Sequence, residues 1–158
     1  MAFFDNNYDV VKIILTGKIT NKVKIEFYRY NQDEPSKIMY LTKDELFLDA
    51  RCDNKSKCQV YIEGPSKSKL NGIIFAKGDL TFYSNIIYNG IIVMDGGRLN
   101  VCSQGKPSIN GLLITNSNEE DSFKDEITIN RDSKIINSYG MYLPNYIKPE
   151  LYLIKEKR

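Results

Sequence analysis

Histidine and tryptophan are both absent from this 158-residue chain. Without histidine there is no Ser-His or Cys-His pair, and most metal-hydrolase sites lose their usual ligand. Cysteine is sparse, at Cys52, Cys58 and Cys102. Three thiols without CxxC spacing fall short of the four Cys or His ligands of structural zinc. No segment approaches the ~18 consecutive apolar residues of a membrane span. The start does not read as a signal peptide either, because Phe3-Phe4 runs straight into Asp5-Asn6-Asn7. The ten glycines form neither G-x-G-x-x-G nor a P-loop, so no phosphate-cradling motif is present. No cofactor is expected.

What is there is a globular balance: 27% charged, 42% hydrophobic and a net charge of +2. Nothing in that balance favours nucleic acid or an acidic membrane as partner. A chain of this length makes one domain, or one with a small appendage, and hides roughly 70% of its unfolded surface. Eleven tyrosines and abundant Ile favour strands. Val10, Ile13 and Leu15 read as one strand, and Asn21-Lys22 as a hairpin turn before the next. Val23-Lys-Ile25-Glu-Phe27-Tyr-Arg-Tyr30 alternates at period two, the mark of a half-buried strand. Ile38–Leu41 and Val60-Tyr-Ile62 are further strand candidates. Thr42-Lys-Asp-Glu45 resembles a capping box and suggests a helical turn, with a strand through Leu46-Phe-Leu48 as the alternative. Gly64-Pro65-Ser-Lys-Ser-Lys69 is the clearest linker.

After the linker the chain repeats itself. Asn71-Gly72-Ile-Ile-Phe75 is followed by Gly78-Asp-Leu-Thr-Phe82, and Asn89-Gly90-Ile-Ile-Val93 by Gly97-Arg-Leu-Asn-Val101. Asn110-Gly111-Leu-Leu-Ile114 opens a third copy, interrupted by the acidic stretch Asn116 to Glu126 before Ile127-Thr-Ile129. Lys134-Ile-Ile-Asn-Ser-Tyr-Gly140 is a weaker fourth echo. Asn-Gly between apolar runs signals a type I′ hairpin, and Ile86-Ile-Tyr88 before Asn89 suits one. The other two copies have too little strand on their N-terminal side. A spacing near 20 residues instead fits coils of a parallel β-helix, each with an inward aliphatic residue and Asn and Gly at the corners, where positive φ is needed. The expected fold is mainly β: a short right-handed parallel β-helix (65–158, with a C-terminal cap from Pro144) preceded by a small β-rich subdomain (1–64).

The phrase NGIIFAKGDLTFYSNIIYNGIIVMDGGRLNV resembles the C-terminal solenoid of PilX-type and related accessory proteins of type IV pili, over residues 70–143. The resemblance implies a non-enzymatic extracytoplasmic component whose partners are other pilus or cell-surface proteins. Its membrane contact would run through an anchor absent from this chain. Bactofilins, polymer-forming β-helices, share the same repeat grammar and would make the chain a cytoskeletal polymer. Covered solenoid ends favour a monomer or small oligomer over filaments.

Asp79 and Asp95 lie next to corner glycines in adjacent coils. Two carboxylates on a β-helix face suit a polysaccharide-cleaving enzyme, whereas turn chemistry by itself places solvated Asp there. Cys52 and Cys58 flank a polar loop that a disulfide can close, while the odd cysteine count favours free thiols. Cys102 has no identifiable base beside it and reads as a structural thiol. Tyr83, Tyr88, Tyr139, Tyr142 and Tyr146 can form a contact strip for sugar or protein, although tyrosines so placed more often cap the core. The stretch Asn118 to Glu126 lacks the spacing of a calcium loop and reads as solvated.

Overall fold

Period-two alternation starts the fold. The computed structural model describes residues 8–16, 23–29, 31–43, 45–50, 58–102, 106–115 and 127–142. Within them Val10–Leu15 (β1) and Val23–Tyr28 (β2) bury every second side chain. They pair antiparallel with Ile13 opposite Ile25, and Lys37–Leu41 (β3) adds antiparallel to β2. Every later pairing is parallel. The chain continues through Glu45–Ala50 (β4), Gln59–Glu63 (β5), Lys69–Ala76 (β6), Leu80–Tyr83 (β7), Ile87–Met94 (β8), Leu99–Cys102 (β9), Ser108–Thr115 (β10) and Thr128–Arg131 (β11). It ends in the helix Ser133–Gly140 (α1).

Two sheets result: one of six strands ordered β3-β2-β1-β5-β7-β9, the other of five ordered β11-β10-β8-β6-β4. From β4 to β10 consecutive strands fall in alternate sheets. One buried cluster fills the space between them, running from Val11, Ile25 and Phe27 through Ile62, Ile74 and Phe82 to Leu113 and Ile129. The division expected at residue 64 falls between β5 and β6, which lie in different sheets around this shared cluster.

The strands of the five-stranded sheet are continuously apolar because both faces of that sheet are covered. Ile74, Ile92 and Leu113 face the common core. Their neighbours Ile73, Ile91 and Leu112 face a second cluster with Phe47, Phe75 and Ile114, against which Ile136 and Tyr139 of α1 pack. Each aliphatic pair therefore serves two cores, where the sequence suggested one inward residue per level.

Three expectations need correction. Glu45–Ala50 is a strand and not a helical turn, because Leu46 and Leu48 reach the common core while Phe47 reaches the second cluster. The supposed fourth echo at 134–140 is α1, started by Asp132, whose carboxylate accepts from the Lys134 and Ile135 amides at 2.9 and 3.2 Å. Finally, the corners expected at Asn71-Gly72, Asn89-Gly90 and Asn110-Gly111 are not corners: these pairs lie inside β6, β8 and β10. The stretches before and after Asn89-Gly90 belong to one strand, paired in parallel with both neighbours. No hairpin forms there.

Candidate binding cleft

Identical residues stack where the repeats align. Asn71, Asn89 and Asn110 share one register position, and Asn130 joins them opposite Asn110. Each side-chain amide donates to the carboxamide oxygen of the one before, at 3.0 Å in all three links. Asn130 was missed because Arg131, not glycine, follows it. The shared signal was an apolar residue before each asparagine: Leu70, Tyr88, Ile109 and Ile129, all in the common core.

Beside the asparagines runs a column of glycines with φ of +131°, +156° and +133° at Gly72, Gly90 and Gly111. A Cβ on Gly72 would lie 1.8 Å from Leu46 O, one on Gly90 1.8 Å from Gly72 O, and one on Gly111 2.0 Å from Gly90 O. Any side chain there would strike the strand before it. Leu46 needs no such relief, since β4 is the sheet edge.

Tyr88 stabilises the same region. It is wholly buried, and its hydroxyl donates to Gly72 O at 2.9 Å and Ile91 O at 3.2 Å. Burial, with the nearby Tyr139, pushes that hydroxyl well above its ordinary pKa, so it stays a neutral donor.

The outer face of the other sheet carries a cleft among the described residues. The cleft, of about 720 Å³, lies over β1, β2, β5 and β7 and is also lined by Arg29, Asn31, Gln32 and Asp33. Its floor follows from strand alternation: Val10, Lys12, Tyr28, Tyr61, Glu63 and Tyr83 are the residues that do not face the core. Register sets the tyrosines on a diagonal. Tyr28 stands opposite Val10, Tyr61 opposite Lys12, and Tyr83 follows Phe82, which pairs with Ile62. Tyr61 and Tyr83 have ring centroids 5.9 Å apart at 40°.

Lys12 Nζ lies 4.8 Å over the Tyr28 ring, and Arg29 lies 5.5 Å over that of Tyr8. The Tyr28 hydroxyl donates to Glu26, which also pairs with Lys24 at 3.1 Å. Burial raises the Tyr28 and Tyr83 hydroxyls; the Glu26 carboxylate adds to the first and Cys102 to the second. Both are hydrogen-bond donors at neutral pH. Asp9, Asp33 and Glu63 supply acceptors, and Asn31 and Gln32 supply amides.

The residues singled out from sequence do not converge on this cleft. Asp79 accepts the Arg98 amide at 2.9 Å. Its neighbour Leu80 pairs with Leu99, whereas Asp95 follows Met94, which pairs with Ala76. The two carboxylates are thus offset in register. The tyrosines do not form one strip. Tyr83 lines the cleft, Tyr88 is core, Tyr139 and Tyr142 lie against Phe47, and Tyr146 is outside the described residues. Cys58 is disulfide-bonded and Cys102 is a free, half-buried thiol. Cys52, the stretch 116–126 and the tail from Pro144 also fall outside the described residues. Among the described residues no group of His, Cys, Asp and Glu is placed to hold a metal ion, and no helix is long and apolar enough to cross a membrane. Comparison with known protein families, curated proteins and solved structures finds no match, so neither the fold nor the cleft inherits a function from a relative.

Proposed function

We propose that this chain is a non-enzymatic structural and interaction protein, wound as a short right-handed parallel β-helix, that works outside the cytoplasm as a type IV pilus or cell-surface accessory component. The observation that carries the reading is the unequal treatment of the two outer faces. One is sealed by an apolar cluster and α1. The other presents tyrosines and charges of both signs around a cleft. A rigid stack with one presenting face suits recognition, because side chains on paired strands are held in place before a partner arrives.

The alternation of strands between sheets and the column of like asparagines support the helical winding. Neither Asp79 nor Asp95 lines the cleft, which favours a binding protein over a carbohydrate-cleaving enzyme built on that pair, since the two carboxyl groups must flank the bond they cleave. The cell-surface assignment rests on the resemblance of the Asn71–Val101 repeat to pilus accessory solenoids. Protease treatment of intact cells of the native host tests it. The chain should be degraded on intact cells as readily as in lysates. Protection in intact cells, with loss only after lysis, would point to the cytoplasmic polymer instead.

A further inference from the structure

The composition of the cleft narrows what it can hold. The two cations Lys12 and Arg29 line it together with the three carboxylates of Asp9, Asp33 and Glu63, and both cations already lie over tyrosine rings. Such a site has no surplus positive charge for a phosphate backbone or an acidic polysaccharide. An extended peptide fares no better. Peptides that add to sheets use the unpaired backbone of an edge strand, whereas this cleft lies on a sheet face over β1, β5 and β7, interior strands whose backbone groups are used in ladders. A purely apolar ligand would leave the carboxylates and amides without partners.

The remaining chemistry is that of an uncharged ligand with flat apolar patches and many hydroxyls. The axial C–H faces of a pyranose ring pack on aromatic rings, and its hydroxyls both donate and accept. Tyr61 and Tyr83 form an aromatic pair at one end of the cleft. Glu63, on the same strand as Tyr61, and the Asn31 and Gln32 amides across the cleft supply complementary polar groups. The volume, about 720 Å³, falls within the range of roughly 300–1,000 Å³ typical of small-ligand sites. Tyrosines on paired strands lose little conformational freedom on binding.

We infer that the cleft on the outer face of the six-stranded sheet is a binding site for a neutral oligosaccharide, stacked on Tyr61 and Tyr83 and hydrogen-bonded through Glu63. The inference rests on the binding-protein reading above but not on cell-surface location.

Saturation-transfer NMR and calorimetry with the full chain test it, using cellohexaose, maltohexaose and chitohexaose as neutral probes. Polygalacturonate, single-stranded DNA and an unstructured peptide library serve as contrasts. At least one neutral sugar should bind. The affinity should change less than about twofold when salt is raised to about 0.5 M, since no counterions are released. The pair Tyr61→Ala and Tyr83→Ala should each weaken binding at least tenfold with circular dichroism unchanged, Tyr61→Phe should retain most of it, and Glu63→Gln should weaken it severalfold. The assignment is overturned if no neutral sugar binds, if binding survives the Tyr61→Ala and Tyr83→Ala changes together, or if a polyanion or peptide is the preferred ligand. Loss of sugar binding from a chain that is still protease-accessible on intact cells would remove the ligand and leave the cell-surface reading standing. Sugar binding by a chain protected inside cells would do the reverse.

Discussion

At the scale of single residues, the glycine and asparagine columns can be separated by substitution. Gly90 and Gly96 both have positive φ, at +156° and +82°, but only Gly90 is crowded, since the nearest atom to a Cβ on Gly96 is Lys77 O at 3.6 Å. Gly96→Ala should therefore cost only its conformational strain, about 1–2 kcal/mol. Gly90→Ala adds a backbone collision and should cost about 3 kcal/mol or more. Urea unfolding of both variants checks the difference, and equal losses would mean the column tolerates a side chain. Asn89 takes part in two ladder bonds and is half-buried, while Asn130 ends the ladder and is exposed. Asn89→Ala should lose about 1–3 kcal/mol and Asn130→Ala about 0.5–1.5, at about 0.5–1.5 kcal/mol for each bond made. The ladder was partly legible in advance, because Asn71, Asn89 and Asn110 recur at near-constant spacing. The amide-to-carboxamide bonds were not, because a sequence period says nothing about which face a side chain takes.

At the scale of elements, α1 is held by its start and by one side. Asp132 caps it, Tyr139 donates to Glu45 Oε2 at 3.0 Å, and Tyr139 and Tyr142 lie against Phe47. None of its residues is fully buried. Asp132→Ala should remove about 0.5–2 kcal/mol of helix stability. Hydrogen exchange should then quicken across 133–140 while the strand amides of β8 stay protected. Exchange that quickened equally in β8 would show that the helix and sheet open together.

The outer face of β2 makes a pH prediction. Burial opposes ionisation of Glu26, but hydrogen bonds from Tyr28 and Lys24, with the charges of Lys24 and Lys12, outweigh it and hold its carboxyl below the ordinary 4.5. A carboxyl lowered on folding stabilises the folded state above its ordinary value, and that contribution fades as pH falls through the lowered one. Glu26→Gln should be less stable than the parent at pH 6–7, and the two melting curves should converge as the pH drops below about 4. A constant gap across that range would assign the loss to packing instead.

At the scale of the whole molecule, the two sheets are not flush among the described residues. At one end the six-stranded sheet extends past β5 by the antiparallel strands β1, β2 and β3. At the other, the five-stranded sheet extends past β8 by β10 and β11, with no described strand stacked beyond β9. End-to-end stacking of copies would continue the parallel pairing of both sheets, and the antiparallel strands β2 and β3 interrupt that edge at one end and oppose it. Light scattering over a rising concentration series should therefore give the mass of one or a few chains. Filaments that form with concentration, and vanish when Gly90 and Gly111 are disrupted, would favour the polymer.

How much of this the sequence determined by itself follows from the range of the forces involved. Strand positions were legible wherever alternation or a paired aliphatic run recorded a buried face, as in β1, β2, β6 and β8, because burial is imprinted residue by residue. The Asn-Gly spacing likewise announced strands that stack in parallel with like residues in register. The conflict at Thr42–Glu45 went the other way, since a capping pattern is local and the pull of Leu46 and Leu48 into the core is not. The tertiary structure alone decided that each aliphatic pair feeds two cores, that Asn130 continues a ladder without its glycine, and that Tyr28, Tyr61 and Tyr83 line one cleft. Those three tyrosines are separated by more than 20 residues at each step, and only the register of β2, β1, β5 and β7 brings them onto one face. Register is a sum over many weak pairings along both sheets, so no short stretch of sequence carries it.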